Sequence, residues 1–137
     1  VVNLVVLMVD DDAASCLVAR RMVQNFGFEC DVTHSGEGAL QAVSRREYSV
    51  VLLDTYLPNM KGWELATEIR RMIGNSPCPR MVAMTSIRQR AVEESCLRAG
   101  IDTILLKPVS REGLRSALIE NESKKENRKH SCSVLAF

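Results

Sequence analysis

The chain has 137 residues, 46% of them apolar and 26% charged, which are the proportions of one soluble globular domain with a substantial core. Eighteen basic against seventeen acidic residues leave a net charge of +1, so no basic field points to nucleic acid and no acidic excess to a solvating tail. No apolar run approaches the ~18 to 20 residues of a bilayer span, so no direct membrane contact is expected. The opening VVNLVVLMV is short, lacks a basic lead-in or cleavage pattern, and reads as a strand. It begins without Met, which suggests a piece of a longer polypeptide. Five cysteines (Cys16, Cys30, Cys78, Cys96, Cys132) show no CxxC spacing, and their odd number favours reduced cytosolic thiols over a disulfide framework.

In chain order, LVVLMV (residues 4–9) is a first strand. Ala14, Val18, Met22 and Phe26 recur every four residues after it, the spacing of one helical face, and Gly27 is a candidate C-cap. ECDVT makes a short second strand, and SGEGALQAVSRR a helix with Ser35 as N-cap. VVLL (residues 50–53) is apolar on both faces, as a central parallel strand requires. Leu65, Ala66, Ile69, Met72 and Ile73 then mark an amphipathic helix that GNSPCP terminates. RMVAMT is a fourth strand, residues 91–99 a fourth helix ended by Gly100, TILL a fifth strand and residues 111–119 a fifth helix. Strict alternation of strand and helix predicts a doubly wound parallel sheet, a flavodoxin-like (βα)5 fold of strand order 2-1-3-4-5. From Glu120 the apolar period is lost, which divides the chain into a domain over 1–120 and a charged extension or tail over 121–137.

In that strand order the first and third strands are neighbours, and ligands bind at the edge where their C-terminal ends lie. The first ends in Asp10, Asp11 and Asp12 and the third in Asp54, so carboxylates distant in sequence converge and repel. A hard divalent cation relieves this, and Mg2+ suits Asp11 and Asp54 with the carbonyl of Tyr56. The fourth strand delivers Thr85 to the same edge, and the fifth delivers Lys107 ahead of Pro108. Carboxylates, cation, hydroxyl and ammonium around one aspartate describe a phosphoryl-transfer site.

The same residues resemble the receiver domains of two-component response regulators and hybrid histidine kinases. LMVDDD is similar to the family's acidic end of the first strand, LLDTYLPNMKG to its phosphoacceptor motif, VAMTS to its fourth-strand switch and LLKPVS to its fifth-strand lysine. The resemblance covers about residues 4 to 120. It implies that Asp54 accepts a phosphoryl group from a phosphohistidine of a histidine kinase or phosphotransfer protein. It further implies that Asp10 and Asp11 hold Mg2+, that Thr85 senses the phosphate, that Lys107 contacts it, and that the Lys107–Pro108 bond is cis. A possible homodimer surface follows from the family too: the fourth helix, fifth strand and fifth helix, around residues 91–99, Ile104 and residues 114–118. SCLRAGIDTILLKPVS is similar to the C-terminal receiver of plant ethylene receptors, which would make the chain a cytoplasmic part of a membrane-anchored receptor. The sequence departs from the family where an aromatic residue usually stands, at Ile104, and at Lys61, usually acidic or small. Tyr56 and Ile87 flank the acceptor with bulk that obstructs water, so slow loss of an aspartyl phosphate is expected.

Two rival readings follow. A degenerate receiver would keep the fold as a phosphorylation-independent interaction or dimerisation module. A haloacid-dehalogenase-type phosphatase would use Asp10 and Asp12 of DDDAA, but Ala14 lacks the hydroxyl or branched side chain that motif needs, so turnover of phosphate esters is not expected. His34 and His130 read as surface histidines, Trp63 as a helix-start residue near the acceptor loop, and SRRE and IRRM as solvated helix faces.

Overall fold

The structure, a computed structural model, describes residues 3–119. The proposed tail and His130 lie outside them. Ten elements alternate: β1 (Val5–Val9), α1 (Ala13–Asn25), β2 (Glu29–Thr33), α2 (Gly36–Arg45), β3 (Val50–Asp54), α3 (Gly62–Ile73), β4 (Arg80–Thr85), α4 (Arg90–Arg98), β5 (Thr103–Leu106) and α5 (Arg111–Leu118). All strand pairs are parallel, in the order β2-β1-β3-β4-β5. Parallel neighbours require crossovers, and the helices that make them cover both faces of the sheet. β1 and the stretches 50–53 of β3 and 81–84 of β4 are accordingly apolar on both faces rather than alternating.

Side-chain alternation along each strand sorts the core into two layers. Val6, Met8, Val50, Leu52, Val82 and Met84 pack with Cys16, Ala19 and Val23 of α1 and Leu114, Ala117 and Leu118 of α5. Leu7, Val9, Val51, Leu53, Met81 and Ala83 pack with Ala39 of α2, Leu65, Ala66 and Ile69 of α3, and Val92 and Cys96 of α4. Helix starts are set chemically, since Asp12, Ser35 and Ser110 side chains accept from the backbone N–H groups of Ala14, Gly38 and Gly113.

Several expectations need correction. On α1 the buried residues are Cys16, Ala19 and Val23, whereas Val18 is 55% exposed and Ala14 is exposed too. The face of α1 that packs on the sheet is the one carrying Cys16, Ala19 and Val23, which lie three and four residues apart. Met72 is likewise exposed, at the rim of the stripe of Leu65, Ala66 and Ile69 and in the last turn of α3. Leu114, Ala117 and Leu118 are buried in the core, so within residues 114–118 only Arg115 and Ser116 face outward, while Leu97 of α4 and Leu106 of β5 are exposed. The arginines of SRRE and IRRM are not all merely solvated. Arg46 pairs with Glu29 and Asp31 of the edge strand, and Arg70 donates to the Gly100 carbonyl at 2.5 Å. Cys16, Cys30 and Cys96 are buried free thiols, and burial pushes the Cys30 thiol up to about 11.

Candidate active site

Sheet register brings the candidate residues together. Val9 pairs with Leu53, so the next residues, Asp10 and Asp54, stand side by side where the two strands end. Thr85 pairs with Leu106, and the backbone N–H of Lys107 donates to the Thr85 carbonyl at 2.7 Å, which places the lysine at the same level. Alternation then decides which side chains meet. Asp10 continues the series Val6, Met8, Asp54 the series Val50, Leu52, and Lys107 follows Leu105, all on the α1 and α5 side. Thr85 continues Met81, Ala83 on the opposite side.

The contacts obey that parity. Lys107 Nζ donates to Asp10 Oδ2 at 2.7 Å and to Asp54 Oδ2 at 2.9 Å, with the lysine and Asp54 side chains only 14% and 13% exposed. Asp54 Oδ1 accepts the backbone N–H of Tyr56 at 3.1 Å, and Asp10 Oδ1 accepts that of Asp12 at 2.9 Å. Thr85 instead donates its hydroxyl to the Ile87 carbonyl at 2.9 Å. It lies at the same edge but is turned toward the β4–α4 loop. His34, read as an ordinary surface histidine, is exposed, yet its Nδ1 lies 2.9 Å from the Asp10 carbonyl. Only the position of His34 just past β2, beside β1, hinted at this.

The β3–α3 loop is shaped by backbone bonds. Gly62 N–H donates to the Thr55 carbonyl at 2.8 Å and Leu57 N–H to the Met60 carbonyl at 3.1 Å, with Tyr56 and Lys61 paired as an antiparallel bridge. A Cβ at Gly62 would lie 2.4 Å from the Asp54 carbonyl oxygen, so the return of the chain past Asp54 requires glycine there. The Lys107–Pro108 peptide is cis, as expected.

The electrostatics are lopsided. Burial pushes the Asp54 carboxyl above its usual range, against hydrogen bonds from Lys107 and Tyr56 that only partly offset it; the Asp10 charge adds to the rise. For Lys107, burial disfavours the ammonium, but hydrogen bonds to Asp10 and Asp54 outweigh it and hold the pKa above the ordinary lysine value. The difference follows from geometry, because the ammonium sits between two carboxylates while Asp54 has one ammonium and a second carboxylate beside it. Asp10, Asp11 and Asp54 each offer an oxygen, all within 4.8 Å of one another. Three hard oxygen donors from a buried, a half-buried and an exposed position fit a cation that keeps several waters, as Mg2+ does.

Residues 6–119 match the model of the family described as response regulator receiver domain. The chain belongs to that family. The receiver is 35% identical over 105 residues to the aerobic respiration control sensor protein ArcB of Escherichia coli K12, covering 77% of this chain but 13% of that protein. Among solved structures, a CheY-like receiver domain protein from Methanospirillum hungatei JF-1 aligns with a TM-score of 0.81 at 22% identity, covering 92% of this chain and 98% of that one. The receiver domain of sensor histidine kinase PA1611 from Pseudomonas aeruginosa PAO1, solved with a magnesium ion in its active-site cleft, aligns at 0.77 and 26% identity, covering 87% and 97%. The receiver is thus a phosphoacceptor signalling module of the two-component type. No helix among the described residues is long and apolar enough to cross a membrane.

Proposed function

We propose that Asp54 is the phosphoacceptor, that Asp10, Asp11, Asp54 and the Tyr56 carbonyl hold Mg2+, and that Lys107 stabilises the transferred group. The observation that carries this reading is the convergence on Asp54: two further carboxylates within 4.8 Å and an ammonium at 2.9 Å, at the C-terminal edge of a parallel sheet. One Asp54 carboxylate oxygen forms a bond to phosphorus as the phosphorus–nitrogen bond of a phosphohistidine breaks, and the imidazole leaves with the electron pair and takes up a proton. Lys107, already bonded to the carboxylate, is placed to follow the negative charge onto the phosphoryl oxygens. Mg2+, when bound, supplies charge neutralisation between the carboxylates and the phosphoryl group.

The donor is a histidine kinase or a phosphotransfer protein. The family match over 6–119 supports a receiver unit of about residues 1–120, and the likeness to the sensor protein ArcB and to the receiver of sensor histidine kinase PA1611 supports a larger sensor kinase as parent. A plant ethylene receptor as that parent rests only on the similarity of residues 95–110. Dimerisation through α4, β5 and α5 would use Leu97 and Leu106, both exposed.

Trp63, at the start of α3 beside the loop, is the reporter for the test. Its fluorescence is followed as Mg2+ and then beryllofluoride are added to the wild type and to Asp54→Asn. A Mg2+ response followed by an Asp54-dependent beryllofluoride response is expected. A folded wild-type protein silent to both overturns the reading and leaves a phosphorylation-independent interaction module.

A further inference from the structure

The β3–α3 loop carries a side-chain arrangement with no part in the chemistry above. Lys61 Nζ stands 4.5 Å from the centroid of the Tyr56 ring, and the Trp63 ring meets the Tyr56 ring edge-on at 6.1 Å and 80°. The two backbones are locked from below, since Tyr56 and Lys61 form a β-bridge and Lys61 N–H donates to Glu64 Oε1 at 2.8 Å. Tyr56 is itself rooted at the acceptor, its N–H bonded to Asp54 Oδ1. The backbone that carries the ring is thus fixed to the Asp54 carboxylate. At 47% exposure the ring would otherwise turn freely about its side-chain bonds. Here an ammonium on one face and an indole at the edge hold it in one place.

We propose that Lys61 is a positioning residue for the lifetime of the aspartyl phosphate: its ammonium pins Tyr56 as a fixed wall beside Asp54 and so restricts the in-line approach of water. This rests on Asp54 being the acceptor. The hydrolysis it controls is ordinary acyl-phosphate chemistry, with water forming the new oxygen–phosphorus bond, the Asp54 carboxylate leaving, and a proton released to solvent. Lys61 touches none of the reacting atoms and acts only through the ring. Because arginine also binds aromatic faces while methionine keeps the length and loses the charge, the two substitutions separate a cation effect from packing.

The experiment loads the whole chain with acetyl phosphate and Mg2+, removes the donor and follows decay of the phosphoprotein in wild type, Lys61→Met, Lys61→Arg, Tyr56→Ala and the Lys61→Met/Tyr56→Ala double variant. Decay in Lys61→Met is expected to be about two- to five-fold faster than wild type, the range that an exposed cation–π contact supports. Lys61→Arg should decay as wild type does, and Lys61→Met should add nothing once Tyr56 is alanine. Equal decay in wild type and Lys61→Met, or independent effects of the two substitutions in the double variant, overturns the role of Lys61 while leaving Asp54 as acceptor. No phosphoryl uptake by the wild type overturns both.

Discussion

Replacing Lys107 by methionine would leave Asp10, which is buried, and Asp54, which is 13% exposed, facing each other with no cation between them. Removing one partner of a buried ion pair costs about 3–5 kcal/mol. The residual solvent access of Asp54 places the expected loss at the lower end, about 3 kcal/mol, which is a fall of roughly 1.5 M in the urea midpoint at a slope of about 2 kcal/mol per molar. The pH dependence carries the sign. Asp54 already titrates above its unfolded value because of burial, and without Lys107 it would rise further. A group with a raised folded pKa contributes stability that is present below its unfolded pKa and lost as pH rises through the folded one. The deficit of Lys107→Met should therefore be largest at high pH and shrink as pH is lowered through a range above the ordinary aspartate value. Added Mg2+ should restore part of it, since a divalent cation takes over the screening. Urea unfolding across that pH range, with and without Mg2+, checks each point. A loss below about 1 kcal/mol, or one independent of pH, would refute a strongly coupled carboxylate pair held by this ammonium.

Other perturbations give graded outcomes. Gly62→Ala sets a Cβ 2.4 Å from the Asp54 carbonyl oxygen, whereas the Cβ of Gly36→Ala meets the Sδ of Met60, the end of a flexible side chain. Chemical denaturation should show a loss of about 2–4 kcal/mol for the first and clearly less for the second. Ser110→Ala removes the side-chain acceptor for Gly113 N–H at the start of α5 and should cost about 1 kcal/mol in the same assay. Thr85→Ala should leave the Mg2+ response of Trp63 intact, because Thr85 bonds the Ile87 carbonyl and not the carboxylates, while hydrogen exchange of the β4–α4 loop amides speeds up. Phosphoryl uptake from a small donor should fall as pH drops through a range above the ordinary aspartate value, because the raised Asp54 must be ionised to attack.

The strands and the convergence of Asp10, Asp54 and Lys107 were legible because they follow from a rule that needs no coordinates. In a parallel sheet of that order, the residue after each apolar run arrives at one edge. Which helical residues face the core was less legible. A four-residue spacing on α1 picked out Val18, but the face that packs against the sheet carries Cys16, Ala19 and Val23 instead. Arg46 and Arg70 were read as solvated because their partners, Glu29, Asp31 and the Gly100 carbonyl, are distant in sequence. The Lys61 contact was invisible for a related reason. The sequence shows a lysine five residues beyond a tyrosine, and only the bridged loop turns that interval into a stack.

Parity along the strands separates the proposed acceptor, Asp54, from Thr85. Asp10, Asp54 and Lys107 lie on the α1 and α5 side, whereas Thr85 and Ile104 belong to the layer shared with α3 and α4. Ala83 pairs with Ile104 and Thr85 with Leu106, so threonine and isoleucine are diagonal neighbours on that second face. On the proposed reading, a new charge on Asp54 would reach the α4 side through Thr85, whose hydroxyl lies at the same sheet edge and is bonded to the Ile87 carbonyl. Turning would break its bond to the Ile87 carbonyl, which ties the β4–α4 loop to β4. With half-buried Ile104 beside it, the space that Thr85 leaves is lined by an aliphatic side chain that shifts by rotamer, without the swing of a ring. A signal from Asp54 in this receiver is thus expected as a local loosening of the loop around Ile87 more than as the inward rotation of an aromatic side chain from β5.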